Sequence, residues 1–491
     1  MITDVPMNPR DLDLFLVGFR NSIDEEDIHA NPFFYLAKPT EENLLKYRLD
    51  RPDNRMKLLS EVIFFVPLIL FKILLSVILS VTYFERADKR KSPNQFKAKY
   101  FFLCHFTYSQ DPNKDDTFYG KNLMNCDSFA FYLNHTRIRL DKILDKFHKA
   151  GKENVAINPK SLNPIKTVWV QICQSRVSFI LLRRALLDRK LKIEQRRLII
   201  RAAVFQHARP TMANLVLKQR FLELYRQVDS DYVVLTIEGH AHEALIIRTC
   251  HQRLKNVVVV GYQHAPVVPA QFNLFANVSL LRSHDFFLTS GQTVKNVAIE
   301  KNFKCNIDIL GSPKSRDYTY QTKSSTKPQI LIAPEATENS FTFFINLMNE
   351  IAPLLPKFLF VLRAHPSLGN LAQRITKYEL VNLSNVMVSN SPLEVDLKNS
   401  HFVVFRSSSV AIEGLAFGAY PIHIDFNGSN ELNPITNNFI NRTALNSVAQ
   451  VVNFVNQFDL KLLQNEAYQR SLFEQFHKYF NPLQNITHVV H

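Results

Sequence analysis

The sequence predicts an α/β protein: two doubly wound, Rossmann-type parallel sheets facing a cleft, preceded by a membrane-associated helical region. Three observations carry this. From residue 228 onward, short apolar β-branched runs alternate with helical stretches. The alternation pauses at the polar, aperiodic stretch 322–327 and then resumes. One long apolar run stands near the N-terminus. Buried strands that alternate with helices pair in parallel, because the crossover helices cover both sheet faces. At 491 residues the chain is also too long for one ordinary domain. With 21% charged and 11% aromatic residues it is neither disordered nor fibrous.

Residues 1–60 form an N-terminal region with 8 basic and 11 acidic side chains. It opens Met1-Ile2-Thr3-Asp4-Val5, which is not the start of a cleavable signal peptide. Residues 61–100 are expected to be a hydrophobic membrane segment with a basic flank. Positions 62–84 read VIFFVPLILFKILLSVILSVTYF, long enough to cross a bilayer. Pro67 and Lys72 also suit a helix lying in the interface, and a buried core helix would show the same run. Arg86, Lys89, Arg90, Lys91, Lys97 and Lys99 follow it, which puts the bulk of the chain on the cytoplasmic side.

The net charge of +15 concentrates just after this run. Residues 85–225 hold 28 basic and 12 acidic side chains, whereas 226–491 hold 22 and 20. Within the basic block, 182–201 reads LRRALLDRKLKIEQRRLIIR, apolar at helical spacing with cations on the other face. This is either a solvated helix face or a cationic surface against anionic lipid. The expected partner is an anionic membrane surface, met through 62–99 and 182–201. The expected location is the cytoplasmic face of the inner membrane, peripheral, monotopic or single-pass. No nucleic-acid module accompanies the charge, so no nucleic acid is expected. Cys104, Cys126, Cys173, Cys250 and Cys305 form no CxxC pair, which points to a reducing compartment and to neither a disulfide framework nor a zinc site.

The first domain is expected over 101–322, with strands at 232–237, 257–260, 286–288 and 307–310 and a helix at 243–254. The second, 328–445, holds strands at 329–333, 358–362, 386–388, 402–405 and 422–424, with helices at 340–355 and 410–417. Residues 446–491 form a helical tail.

Ligands of such sheets sit outside the carboxyl ends of the strands, so the chemistry is expected at those ends. Glu238-Gly239-His240, with His242 behind, ends one strand. A carboxylate there can take a proton from a hydroxyl, or it can simply stabilise the next helix. Gln263-His264 ends the next strand, where a histidine can donate to a phosphate or bond loop backbone. Arg363-Ala364-His365-Pro366 ends a strand of the second domain. The proline stops the strand and presents His365, suited to a leaving phosphate. Arg406-Ser407-Ser408-Ser409 opens a helix. Backbone N–H groups at such a start bind anions, although a single capping serine would look alike. Glu413 follows one turn later.

The ordered pair of His-Pro after one strand and Ser-Ser-Ser opening a helix, then Glu, resembles the GT-B glycosyltransferases of bacterial surface polysaccharides. The likeness is greatest to those using CMP-activated acidic sugars: sialyltransferases, polysialyltransferases and Kdo transferases. It covers about residues 228–445. The family's acidic-acidic-Gly motif is half present, since Glu238-Gly239 matches and Ile237 replaces the first acid. The resemblance implies catalytic roles for Glu238, as general base, for His264, and for His365 facing the leaving phosphate. It implies donor binding by Arg363, Pro366, Ser407, Ser408, Ser409 and Glu413, with Gly311-Ser312-Pro313 resembling the inter-domain turn and placing Gly311 and Ser312 beside the donor. His240, His242 and Gln263 fall on the acceptor side. No cofactor and no metal are expected. The partners implied are a nucleotide-sugar donor, CMP-sugar first and a UDP-sugar or CDP-polyol as the alternative, and a glycan or lipid-linked acceptor. An inactive scaffold docked on the membrane is the rival of another class.

Overall fold

The computed structural model describes residues 15–35, 60–83, 97–271, 284–365, 383–425, 432–435 and 444–490, except for single residues and short stretches inside them, together with 274 and 368. Pro366 and the basic residues between 85 and 96 lie outside the described residues.

The first sheet has seven parallel strands in the order β3-β2-β1-β4-β5-β6-β7. They are β1 (Tyr100–Phe106), β2 (Ser128–Asn134), β3 (Val155–Ile157), β4 (Tyr232–Thr236), β5 (Val258–Gln263), β6 (Phe286–Thr289) and β7 (Asn306–Ile309). The second sheet is also parallel, ordered β10-β9-β8-β11-β12. Its strands are β8 (Gln329–Ile332), β9 (Leu359–Leu362), β10 (Val386–Val388), β11 (Ser400–Phe405) and β12 (Tyr420–His423). Two doubly wound parallel units are thus present, as the alternating runs predict.

The first three strands were not expected. The pattern of 85–225 predicts basic helices there, yet β1 and β2 lie within the first sheet, between β3 and β4. Their sequences, YFFLCHF and SFAFYLN, are aromatic rather than β-branched, and β3 is only three residues long. Both faces of β1 are covered. Phe101 and Leu103 enter one core, while Tyr100, Phe102 and Cys104 enter another on the opposite face. Residues of 15–35, including Phe19, Ile28, Phe33 and Phe34, belong to the first of these cores. Asn31 fixes them there by donating to the Ala202 carbonyl and to Gln206.

The helices that matter here are α1 (Phe65–Tyr83), α2 (Leu140–Lys149), α3 (Pro164–Leu187), α4 (Ile193–Phe205), α5 (Arg209–Val228), α6 (Ala241–Arg253), α7 (Gln292–Glu300), α8 (Glu338–Ile351), α9 (Leu393–Asn399), α10 (Val410–Leu415), α11 (Val448–Gln457) and α12 (Glu466–Tyr479). One expectation about the basic quarter needs correction: 182–201 is not one helix. The chain turns between α3 and α4, and Arg196 holds that turn by donating to the carbonyls of Ala185, Leu186, Asp188 and Leu191. Arg197 and Arg201 both pair with Glu61. Three cations assigned to a lipid-facing surface therefore serve internal packing. Among the described residues no helix is long and apolar enough to cross a membrane. The apolar run folds as α1 and packs on α3, where Phe65 and Phe179 meet edge-on at 6.0 Å.

The tail is more than an appended helix. α12 packs on α10 of the second domain and on α7 of the first. The chain then re-enters the first domain. Asn481 donates its amide to the Ser290 carbonyl and accepts from the Ser312 amide. Ile486 and Val490 finish in the first domain's core. Gly311 makes the close approach possible. Its φ is +85°, and a Cβ there would lie 2.1 Å from the Pro482 carbonyl oxygen.

Gly311→Ala should therefore destabilise the protein by roughly 3 kcal/mol, from left-handed backbone strain plus a backbone clash. Urea unfolding followed by circular dichroism checks this; a midpoint equal to wild type would contradict the crossing described.

Candidate active site

Strand order locates two sites before any side chain is considered. The winding reverses between β1 and β4 in the first sheet, and between β8 and β11 in the second. Loops diverge at such reversals and leave a crevice at the carboxyl edge. The residues immediately after these four strands form two polar clusters.

In the first cluster, β4 ends at Thr236 and α6 begins at Ala241. Ile237 is fully buried, so the position where the family carries an acid is core here. Glu243, one turn into α6, folds back over the helix start. Its carboxylate accepts the backbone amides of Glu238, Gly239 and His240 at 2.9–3.0 Å. Burial pushes the Glu243 carboxyl up to about 7, against the pull of His240 and these amides. Glu243, not Glu238, thus performs the helix-stabilising task, and Glu238 is left to point outward.

Glu238 sits between two imidazoles. His264 Nε2 lies 3.1 Å from Oε1, and His240 Nε2 lies 3.2 Å from Oε2. The Glu238 side chain is 37% exposed. Partial desolvation raises its pKa, but hydrogen bonds from His240 and His264 outweigh that and hold it well below the usual carboxylate range. The Phe118 ring packs edge-on against His264 at 4.6 Å. The Nδ1 of His264 is buried and has no hydrogen-bond partner.

Two further histidines complete the cluster, and neither was picked out from the sequence. His105, near the end of β1, places Nδ1 2.7 Å from His135 Nε2 and Nε2 2.8 Å from Thr236 Oγ1. His135 follows β2 directly. Burial, then the His135 charge, pushes His105 down to about 3. Burial, then His240 and His105, holds His242 well below the usual imidazole value. The signal for both missed residues was a histidine closing an aromatic run, which becomes meaningful only once that run is known to be a strand. Gln263 plays another part than expected. It is fully buried, and its amide donates to the Ala265 carbonyl to shape the loop carrying His264.

The first cluster therefore combines one ionised carboxylate with several imidazoles, of which burial holds His105, His135 and His242 toward the neutral form. A carboxylate held this low is a weak proton acceptor, while an imidazole is well matched to neutral pH. Glu238 and the imidazoles of His240 and His264 that bond it are the proton-accepting groups at this edge.

The second cluster gathers at the carboxyl edge of the second sheet. Arg363 is engaged within the protein. Its guanidinium donates to the Ser391 carbonyl and, at 2.7 Å, to Asp396, a buried carboxylate that Ser389 also bonds. Arg363 thus braces the loop after β9. Glu335, just past β8, accepts the Ser407 amide at 2.8 Å, Arg406 Nε at 3.3 Å and the Ser340 hydroxyl. The Ser407 amide is thereby occupied. Among the described residues, the Ser408 and Ser409 amides have no acceptor.

Lys314 joins this cluster from the first domain, five residues past β7. Its ammonium donates to Ser409 Oγ at 3.2 Å and to Glu413 Oε1 at 2.7 Å. Partial desolvation and then the Lys314 charge lower the His365 pKa. Gly311 and Ser312, expected beside the donor, instead build the crossing: the Gly311 carbonyl accepts from Tyr262, and the Ser312 amide bonds Asn481. Lys314 went unnoticed in the sequence because a lone lysine after a Gly-Ser-Pro turn carries no pattern. Its bonds show that the carboxyl edges of the two sheets meet.

No family model matches the chain, and no curated protein matches it. Several solved structures resemble it. The calicheamicin glycosyltransferase does so at a TM-score of 0.43 and 11% identity, over 78% of this chain and 94% of that one. The UDP-GlcNAc 2-epimerase of Neisseria meningitidis gives 0.43 and 11%, over 79% and 96%. A glycosyltransferase of Rickettsia africae gives 0.40 and 14%, over 80% and 97%.

Glu238→Gln tests the electrostatics of the first cluster. The Glu238 charge raises the pKa of His105, His135 and His242. Its loss should lower those values and reduce any imidazole-dependent turnover about 100-fold. Histidine titration followed by NMR should show those three values at lower pH than in wild type; values that stay in place would refute the coupling.

Proposed function

We propose that the chain is a glycosyltransferase, moving a sugar from a nucleotide-sugar donor to an acceptor hydroxyl between the two carboxyl edges. One observation carries this reading: Lys314 bonds Ser409 and Glu413 across the domains, bringing a proton-accepting cluster opposite an anion-binding one. Acid–base groups on one wall and cationic groups on the other are what displacement of a phosphate from a sugar carbon requires.

The donor phosphate is placed at the open Ser408 and Ser409 amides, within reach of Lys314 and His365. The acceptor enters beside Glu238, His240 and His264. The acceptor oxygen attacks the anomeric carbon as the bond from that carbon to the phosphate oxygen breaks. The electron pair leaves with the nucleotide, where Lys314 and His365 compensate the charge. The hydroxyl proton passes to an imidazole bonded to Glu238, and the carboxylate stabilises the imidazolium. Glu413 aligns Lys314 before the donor arrives.

The order of His365 and the Ser407, Ser408, Ser409 cluster supports a CMP-activated acidic sugar as donor, for a lipid-linked or membrane-proximal glycan of surface polysaccharide. The surplus of cations in 85–225 supports action at the cytoplasmic face of a membrane. A thermal-shift series with CMP, CDP and UDP should show the largest rise with CMP; a larger rise with UDP would reassign the donor. His365→Ala should lower kcat about 100-fold with the fold intact. Lys314→Ala should raise the donor KM about 10- to 100-fold, the loss of one charge-assisted contact. If no cytidine or uridine nucleotide stabilises the protein and none is released from its sugar conjugate, the reading fails.

A further inference from the structure

We propose that α1 and the outer face of α3 together form a lipid-docking surface, seated in the headgroup–acyl boundary of an anionic bilayer. The argument begins with α1. Apart from Lys72, two serines and one threonine, its sequence, FVPLILFKILLSVILSVTY, is apolar around its whole circumference. A helix apolar on every side needs an apolar medium on every side. The protein supplies only part of it. Among the described side chains of α1, Phe65 and Ile69 are buried, one turn apart. Leu70, Phe71 and Leu74 are each about 60% exposed.

α3 continues the same surface. Trp169 is 66% exposed, Ile172 57% and Phe179 53%. They recur at three- or four-residue spacing, with Arg176 and Arg183 on the same stripe. Phe179 also touches Phe65, so the two apolar faces are continuous. Soluble monomers expose contiguous apolar patches of only about a few hundred Å².

Charge selects the occupant. Exposed Arg183, Arg189 and Lys190 lie at the C-terminal end of the α3 stripe and in the turn after it. A second copy packed here would set these cations against their own equivalents. Anionic headgroups complement them, with the arginine stems lying along the apolar surface and the charged ends reaching the headgroups. Trp169 is the chain's sole tryptophan, and tryptophan favours this interface. Since no described helix is long and apolar enough to cross a membrane, the surface lies on the bilayer. This differs from a cationic 182–201 helix as the contact: Arg196, Arg197 and Arg201 face inward, and the apolar half of α3 replaces them.

The single tryptophan makes the test direct. Full-length protein is mixed with vesicles of phosphatidylcholine alone, or with about one third phosphatidylglycerol. With the anionic vesicles, Trp169 emission should shift to the blue and be quenched by brominated acyl chains, and the protein should co-sediment. Binding to phosphatidylcholine alone should be at least about tenfold weaker. The triple variant Leu70→Ser, Phe71→Ser, Leu74→Ser alters only exposed side chains. It should keep the wild-type circular dichroism spectrum and lose co-sedimentation about tenfold or more. Arg183→Gln with Arg189→Gln and Lys190→Gln should abolish the preference for anionic lipid. An unmoved Trp169 emission with protein left in the supernatant would overturn the proposal. So would a triple variant that sediments like wild type, or a solution dimer whose dissociation alone exposes Trp169.

Discussion

The cleft depends on one double crossing of the chain. At Gly311 the polypeptide leaves the first domain, and at Pro482 it returns, with the two backbones too close for any Cβ between them. The Asn481 backbone locks the crossing from the returning side by bonding Ser290 and Ser312. Tyr262 locks it from below, donating from β5 to the Gly311 carbonyl. Lys314 emerges three residues after Gly311 and is delivered directly onto Ser409 and Glu413. The meeting of the two carboxyl edges is therefore a consequence of backbone packing at the crossing, with the ion pair as its most visible result.

Each wall of the cleft is organised by carboxylates largely withdrawn from solvent. Glu243 collects three consecutive amides and so fixes the direction of Glu238. Glu335 plays the corresponding part opposite, fixing Arg406 and Ser407. Asp396 does the same for Arg363. Satisfying loop amides and cations with carboxylates costs desolvation, and charge-assisted hydrogen bonds offset it. The outcome is rigid loops carrying the groups that do face the opening: Glu238 and its imidazoles on one side, His365, Ser408, Ser409 and Lys314 on the other. Residue type alone does not separate these parts, because an arginine or a carboxylate at a strand end serves equally well as ligand or as brace.

The basic quarter divides in a similar way. Some of its cations are consumed by packing, as Arg196, Arg197 and Arg201 show. Others lie exposed near an apolar face made by two helices that are distant in sequence. Net charge counts both kinds alike, so the surplus signals a surface without locating it.

Much of the architecture was legible in the sequence by itself. Doubly covered parallel strands must be short and apolar, and β-branched runs such as Tyr232–Thr236 and Val258–Gln263 advertise themselves. Their ends located Glu238, His264, His365 and Ser407 to Ser409, because strand ends are where the chain turns polar. The sequence was silent where the signal is not local. β1 and β2 read as aromatic runs that fit helix or strand equally, and His105 and His135 were hidden with them. Only the tertiary structure decided which polar groups face inward: Arg363 toward Asp396, Gln263 into its own loop, Glu243 under the helix start. It also decided that residues 480–490 close the first domain and that Lys314 crosses to the second. Those outcomes depend on which segments approach in space, and a linear pattern records each residue's preference for burial or exposure without recording the neighbour that satisfies it.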